Sequence, residues 1–290
     1  DFPSPGYGPL EKGLKLTEEL LQEFSRHPKI KIAVSPHTLY TCSPETIKKC
    51  IKLSERYSAP LHIHLAENSE EIAEIRQRHG KHPVELLSEL GGVNERLLAV
   101  HCVKIGDKEL EILYRGGARV ISCPESNLKL GSGVAPLPKM LSAGICVALG
   151  TDGPASNNDL DLLSEMRTAS LIHKGLAEDP AIISAKDVFA MATENGALAL
   201  HFPDTGKLLP GYRADLAVLD LKKENLQPDY NPLALLVYSA KAGQVSDVMV
   251  DGEFIMRNHQ ILTVDENLII EKIHEIKEQI LAVLKNQKKM

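Results

Sequence analysis

The chain has 290 residues, of which 43% are hydrophobic and 25% are charged. That balance is typical of a soluble globular protein, with length enough for one large domain or a large domain and a small appendage. Its net charge of −6 excludes an electrostatic platform for nucleic acid or for an anionic membrane surface. A small-molecule partner is therefore expected.

The five cysteines are scattered and include no C-x-x-C pair, which argues against a disulfide framework and favours a reducing compartment. No apolar run reaches the ~20 residues of a membrane span. Residues 1–9 lack the basic-then-apolar order of a signal peptide. The cytoplasm is the predicted location.

Short apolar runs recur along the first half of the chain, each followed by a turn and then by a helical pattern. None of them alternates cleanly with polar residues, so they predict strands buried on both faces, as in a parallel sheet. The runs lie at residues 29–35, 60–65, 97–102, 118–123 and 145–150.

Helix signals separate these runs. Ser43 and Pro44 form an N-cap and a first-turn proline, and Glu70 and Glu71 suit the positive end of a further helix. Two more helices are predicted at 83–90 and 107–114, each ended by a glycine pair. Strands that alternate with helices predict an α/β fold.

The pattern changes after residue 150. Two helices are predicted in succession, at 160–173 and 184–200, and the second opens with a Ser184-x-x-Asp187 capping box. Short strands follow, and an amphipathic helix closes the chain. The strands are predicted at 215–219, 246–250 and 253–256, and the last helix at 266–285.

Residues whose side chains could take part in catalysis or metal binding lie at the ends of the predicted strands. His37 follows the first run, His64 and Glu67 the second, His101 ends the third, and Asp152 lies just past the fifth. The carboxyl ends of parallel strands meet at one face of a sheet or barrel, where active sites form. We therefore expect these five side chains to converge.

Each residue alone allows two interpretations. His62 and His64 share a strand face and could chelate a metal together, but a hydrogen-bonded core histidine is favoured for His62. Glu67 is either a general acid aimed at a substrate nitrogen or an exposed loop carboxylate. Asp152 is either a metal ligand that accepts a proton or part of an Asx-turn, and His101 is either catalytic or a strand-end core imidazole.

Longer blocks of sequence carry a family resemblance. They are S-P-H-T-L-Y-T-C-S-P at 35–44, H-I-H-L-A-E at 62–67, V-H-C at 100–102, C-P-E-S-N-L-K-L at 123–130 and L-G-T-D-G-P-A-S-N-N at 149–158. In combination they resemble the amidohydrolase superfamily, and most closely the 5-methylthioadenosine/S-adenosylhomocysteine deaminases. The likeness extends from about Lys29 to Glu253.

The resemblance implies a TIM-like (β/α)8 metal-dependent hydrolase barrel, present in part as strands four to eight, with the C-terminal part of a small β-sandwich. The implied domains are an N-terminally incomplete barrel at 1–204, the sandwich part at 205–262 and a C-terminal helix at 263–290. The family's first strand carries an H-x-H pair of metal ligands. That pair has no counterpart upstream of His37 in this sequence.

The resemblance also implies a role for each residue. His64 and Asp152 correspond to metal ligands, and His101 corresponds to the histidine beside the metal-bound water. Glu67 corresponds to the acid that contacts the purine and shuttles a proton, and His37 to a residue that contacts the nucleoside, with Asp152 also facing substrate. One divalent metal ion is implied, with zinc expected and iron, manganese or nickel as alternatives.

The activity implied is hydrolytic deamination of S-adenosylhomocysteine, 5′-methylthioadenosine or a related adenosine such as 5′-deoxyadenosine, which gives the inosine analogue and ammonia. The H-x-E…P-C-x-x-C signature of the other zinc deaminase fold is absent from the sequence. Two alternatives stay open: a guanine or triazine amidohydrolase or chlorohydrolase, and an inactive, metal-free amidohydrolase-like fragment. Glu67 favours a deaminase, because protonating a ring nitrogen needs an acid. The partner is a small nucleoside, with no nucleic acid and no membrane, and a homo-oligomer stays open.

Overall fold

A computed structural model describes residues 8–287, with side chains described as far as Lys285. The prediction that residues 1–9 are not a signal peptide falls mainly on residues 1–7, which lie outside the described range. The outermost residues of the predicted first and last domains also lie outside it.

Four parallel strands form the first sheet, in the order β1-β2-β3-β4. Each strand follows the previous one through at least one helix, which is the connection that parallel pairing requires. The α/β prediction with a parallel sheet is confirmed. The strands are β1 (Leu61–Leu65), β2 (Leu97–His101), β3 (Arg119–Ser122) and β4 (Cys146–Leu149).

Burial differs from strand to strand. β2 is buried at every residue, as predicted, but β1 and β3 alternate, so the prediction of burial on both faces is wrong for them. In β1 the apolar Leu61, Ile63 and Leu65 are fully buried in the main core, whereas His62 and His64 are half-buried. Both imidazoles therefore lie on the sheet face opposite that apolar layer.

The prediction of a first strand at 29–35 is wrong. Only Val34 pairs, in an isolated parallel bridge with Leu61 that uses hydrogen bonds from Val34 N–H to Pro60 O and from His62 N–H to Val34 O. Residues 29–31 are exposed, so the first half of this segment has neither a buried face nor a strand beside it within the described residues.

Helices surround the parallel sheet, and two of them begin with the predicted caps. Ser43 accepts a hydrogen bond from Thr46 N–H at the start of α2, and Ser184 and Asp187 form the capping box of α9. The sequence analysis did not predict α1, α6 or α7. The helices as far as β4 are α1 (Leu10–Glu23), α2 (Pro44–Tyr57), α3 (Ser69–His79), α4 (Pro83–Glu89), α5 (Asp107–Arg115), α6 (Pro124–Lys129) and α7 (Leu137–Ser142).

The helix predicted at 184–200 is divided in two, α9 and α10, at Thr193, whose backbone leaves the helical region at φ −126° and ψ −93°. Asn195 follows the break and donates a side-chain hydrogen bond to Val147 O in β4, which anchors α10 to the sheet. The remaining helices of this region are α8 (Leu162–Ala177), α9 (Ala185–Ala192), α10 (Glu194–Ala199) and the unpredicted α11 (Pro232–Tyr238).

A second, antiparallel sheet has the order β5-β6-β7-β8, and α12 (Glu266–Gln287) follows it. The apolar stripe of α12, which includes Leu268, Ile273 and Ile280, is about half exposed. No helix within residues 8–287 combines the length and apolarity needed to cross a membrane. The strands are β5 (Leu216–Leu219), β6 (Val245–Val250), β7 (Glu253–Arg257) and β8 (Gln260–Ile261).

Candidate active site

The carboxyl ends of the parallel strands carry the predicted site residues. Ala66, His101, Cys102 and Asp152 all follow or end a strand, and all four have a positive φ, between 48° and 73°. Residues other than glycine are disfavoured in this left-handed region, and such strain concentrates at functional sites where surrounding contacts maintain it. The sheet therefore holds an unusual backbone at the edge where the sequence predicted the chemistry.

His64 is fixed in one tautomer by the segment that carries His37. The His37 carbonyl oxygen accepts from both the backbone N–H and the ring Nδ1 of His64, at 3.1 and 3.0 Å. A carbonyl oxygen only accepts, so the proton lies on Nδ1 and the lone pair of Nε2 is free. A histidine that binds metal through Nε2 is oriented in this way.

His101 is buried and lies against His64, with the two ring centroids 5.3 Å apart and the rings stacked. Its Nδ1 is 2.8 Å from the Oδ1 of Asn127, so Nδ1–H donates to that amide oxygen and Nε2 is left as an acceptor. Burial lowers the pKa of His101 against the raising effect of Glu67. The neutral imidazole is the form that this environment favours.

Glu67 has contacts with His101, Ser132 and Glu71. Its Oε2 lies 4.0 Å from Nε2 of His101, and its Oε1 accepts a hydrogen bond from Ser132 Oγ at 3.2 Å. Its backbone N–H donates to Glu71 Oε2 at 2.7 Å, and the Ala66 N–H donates to Glu71 Oε1 at 3.0 Å. The Glu67 side chain is only 18% exposed, so the interpretation as a free loop carboxylate does not fit.

Asp152 follows β4 and is anchored to the loop after β3. Its Oδ2 accepts from Ser126 Oγ at 2.7 Å and its Oδ1 from Gly153 N–H at 2.8 Å. Burial raises the pKa of Asp152, but these two donors and the nearby His101 outweigh that effect, and the pKa lies below its ordinary value. The group is therefore a carboxylate at neutral pH.

His37 and His62 flank this group. The His37 ring centroid is 5.2 Å from that of His64, and its Nδ1 bonds Thr41 Oγ1 at 2.9 Å. His62 bonds Ser35 Oγ through Nδ1 at 3.0 Å, and burial lowers its pKa to about 4. His62 therefore has the features expected of a neutral, hydrogen-bonded histidine beside the site.

Sequence reasoning missed Ser132 and the supporting role of Glu71, and it considered Ser126 and Asn127 only as possible hydrogen-bonding groups for a substrate. Ser126 and Asn127 belong to the 123–127 block, whose hydrogen-bonding groups resembled ordinary turn residues. Glu71 appeared only as a favourable charge at the start of a helix. Nothing in the local pattern around Ser132 marks it, since it reaches Glu67 across 65 positions of sequence.

Two of these residues offer donor atoms of the kinds that bind metal ions. His64 offers an Nε2 lone pair and Asp152 a carboxylate, which are both donor types that zinc takes. Within residues 8–287, however, no group of three or more histidine, cysteine or acidic side chains has a geometry that could hold a metal ion. Catalytic zinc commonly has three protein ligands and a water. His64 and Asp152 thus fit as two members of a larger ligand set.

Comparison with known proteins places the chain in a family. The model of the amidohydrolase family matches residues 3–255. A 5-methylthioadenosine/S-adenosylhomocysteine deaminase from Syntrophobacter fumaroxidans is 44% identical over 277 residues, which are 95% of this chain and 63% of that protein. The chain thus spans less than two thirds of the length of this relative.

Solved structures agree with the fold. A zinc-bound adenosine deaminase from Xanthomonas campestris superposes with a TM-score of 0.94 at 34% identity, over 97% of this chain and 64% of that one. A zinc complex of atrazine chlorohydrolase from Arthrobacter aurescens superposes with a TM-score of 0.85 at 26% identity, over 91% of this chain and 59% of that one. The chain belongs to the amidohydrolase family.

Proposed function

We propose that this chain carries the larger part of a metal-dependent hydrolytic deaminase of 5′-modified adenosines, such as S-adenosylhomocysteine, 5′-methylthioadenosine or 5′-deoxyadenosine. The observation that carries the proposal is the setting of Glu67, whose carboxyl group is held by Ser132 and lies 4.0 Å from the acceptor nitrogen of His101. Deamination of a purine needs an acid at a ring nitrogen, and Glu67 has the position and support for that task.

The proposed reaction divides the proton transfers between two carboxyl groups. Glu67 donates a proton to a purine ring nitrogen, which makes the amino-bearing carbon electrophilic. Asp152 accepts a proton from the attacking water, and His101 offers Nε2 as a hydrogen-bond acceptor to that water. The carbon becomes tetrahedral, the proton on Asp152 passes to the amino group, and ammonia leaves with the electron pair of the broken C–N bond. The hydroxyl proton of the intermediate returns to Glu67 as the carbonyl of the inosine analogue forms. His37 contacts the nucleoside.

A divalent metal ion, with zinc expected, would be held by His64 and Asp152 together with ligands beyond this pair. When bound, such an ion supplies Lewis-acid chemistry that lowers the pKa of a coordinated water. The Nδ1–H of His64 donates to the His37 carbonyl, which orients the free nitrogen for this role. Zinc in the two solved relatives supports the choice of ion.

We assign the two sheets to different domains. We place the domain boundaries after residues 204 and 262, so that the described chain comprises part of a (β/α)8 barrel, part of a small β-sandwich and a C-terminal segment that holds α12. The parallel order β1 to β4 and the antiparallel order β5 to β8 support this division. The scattered cysteines support the cytoplasm as the location.

A triazine or guanine hydrolase is the second candidate, and it is favoured by the 0.85 TM-score with atrazine chlorohydrolase. The higher identities, 44% and 34%, are with proteins named as deaminases of adenosine compounds. Glu67 as a ring-nitrogen acid fits an adenosine substrate without further assumptions.

The test is Glu67→Gln in the protein expressed from its complete reading frame and loaded with zinc. Ammonia release from S-adenosylhomocysteine should fall by about 10²- to 10⁴-fold, the usual contribution of a general acid or base, with zinc content unchanged. Glu70→Gln is the matched control, because Glu70 is an exposed carboxylate three residues away. Turnover by Glu67→Gln at the control rate would contradict the assigned role.

A further inference from the structure

A buried carboxylate outside the proposed reaction lies behind Asp152. Glu165 occupies the first turn of α8 and is 0% exposed. Its Oε2 accepts from Glu125 N–H at 3.0 Å and its Oε1 from Asn157 Nδ2 at 2.8 Å. Both donors come from other segments of the chain, the start of α6 and the loop after β4, so Glu165 joins these two segments and does not serve as a cap of its own helix.

Each of these two segments also contacts or contains Asp152. Ser126, the residue after Glu125, donates its hydroxyl to Asp152 Oδ2 at 2.7 Å. Asn157 lies in the loop that begins at Asp152, and its backbone N–H donates to Gly153 O at 3.0 Å. Glu165 is thus linked to both oxygens of the Asp152 carboxylate, through Glu125 and Ser126 on one side and through Asn157 and Gly153 on the other.

The loop after β4 needs such support, because its backbone is unfavourable on its own. Asp152, Asn158 and Leu160 have φ values of 61°, 87° and 55°, in the left-handed region that disfavours residues other than glycine. Asn157 stabilises this shape by accepting from Leu160 N–H at 2.6 Å while its amide nitrogen donates to Glu165. Strained segments persist when neighbouring contacts determine their shape.

The electrostatic surroundings show that burying this carboxylate is costly. Burial raises the pKa of Glu165, the nearby carboxylates of Glu125 and Asp159 also raise it, and the donors on Glu125 and Asn157 lower it, so that the pKa lies at about 8. Glu125 is itself held at α8, since its Oε1 accepts from Thr168 Oγ1 at 2.8 Å. An apolar side chain would avoid this desolvation but could hold neither segment.

We propose that Glu165 is a positioning residue that holds the 124–127 and 152–161 segments together and thereby sets the place of the Asp152 carboxylate. It makes no contact with the reacting atoms. This inference deepens the proposed deaminase function and rests on it for the catalytic consequence. The structural consequence, an ordered Asp152 loop, stands apart from any activity.

The first test is Glu165→Gln in the protein expressed from its complete reading frame. Glutamine keeps the volume and one acceptor oxygen for Glu125 N–H, but it turns an NH2 group toward the Asn157 amide. Amide hydrogen exchange at Asn157 and Leu160 should become faster, and kcat should fall by about 10- to 100-fold with a much smaller change in KM. Asp187→Asn is the matched control, because Asp187 is a first-turn carboxylate of α9 that bonds only its own helix start.

The second test exchanges the donor and acceptor roles of residues 165 and 157. The double variant Glu165→Gln/Asn157→Asp reverses donor and acceptor across the same contact, keeps the net charge, and leaves acceptors for both Glu125 N–H and Leu160 N–H. Slow exchange and most of the lost kcat should return. Exchange and kcat at control levels in Glu165→Gln, or no recovery in the double variant, would overturn the proposal. If the wild-type protein deaminates none of the adenosines, the proposed function fails, and hydrogen exchange still decides whether Glu165 orders the loop.

Discussion

Glu71 offers a quantitative test of how the site is supported. Its side chain is 2% exposed and accepts from the N–H groups of Ala66 and Glu67, at 3.0 and 2.7 Å. Glutamine at this position would keep one acceptor and point an NH2 group at the other N–H. A hydrogen bond to a charged group contributes about 1.5–3 kcal/mol, and a buried donor left unpaired costs a similar amount.

Opposing this loss, burial raises the pKa of Glu71 to about 7, so a neutral side chain removes a desolvation cost. We therefore expect Glu71→Gln to destabilise the fold by about 2 kcal/mol, near the lower end of that range. For a chain of 290 residues the melting temperature should fall by roughly 3 °C, as measured by calorimetry.

The matched control is Glu70→Gln, which removes an exposed carboxylate from the same helical turn and leaves the loop hydrogen bonds intact. It should change stability by less than about 0.5 kcal/mol. In the active protein Glu71→Gln should also lower kcat by about 10- to 100-fold, because the backbone of Glu67 loses its anchor. Equal melting temperatures for the two variants would refute the reasoning.

Two further predictions concern protons and metal. Burial lowers the pKa of His173 to about 4, so the stability that its neutral form provides is present above pH 6.5 and is lost as pH falls from 6.5 towards 4. Over that window the loss of stability measured by denaturant unfolding should be about 3 kcal/mol smaller in His173→Leu than in the wild type, while the exposed-site control His274→Leu keeps the full loss; equal slopes in both variants would contradict the assignment. Ser126→Ala should weaken zinc binding by about 10- to 100-fold in a chelator competition, because Asp152 loses a hydroxyl donor. The control Ser142→Ala, on α7, should leave zinc affinity unchanged. Unchanged affinity in Ser126→Ala would show that this contact does not orient Asp152.

The proposed site could be located from the sequence because its residues follow predicted strands, and the topology of a parallel sheet brings the ends of those strands together. His64, Glu67, His101 and Asp152 each end or follow a buried apolar run, and parallel pairing brings those ends to one edge of the sheet. Local spacing was enough to find the four strands and most of the helices. The family was predicted from the resemblance of the longer sequence blocks, and the amidohydrolase match confirms it.

The contacts that support the site residues could not be predicted from the sequence, because they join residues that are far apart along the chain. Ser132 reaches Glu67 and Glu165 reaches Glu125 across 65 and 40 positions of sequence. The segment 29–35 has a strand-like composition, yet a strand also needs a partner, and only Val34 finds one. The break at Thr193 likewise accompanies a contact that sequence periodicity does not report, the hydrogen bond from Asn195 to β4.

The central claim is that the proposed site deaminates 5′-modified adenosines. The most direct measurement is a substrate screen on the zinc-loaded protein from its complete reading frame, with S-adenosylhomocysteine, 5′-methylthioadenosine, 5′-deoxyadenosine, adenosine, guanine and a chlorotriazine, following ammonia or chloride and the organic product together. The account predicts equal amounts of ammonia and the inosine analogue from the 5′-modified adenosines, at higher kcat/KM than for guanine or the triazine. Turnover of guanine or the triazine alone would contradict it.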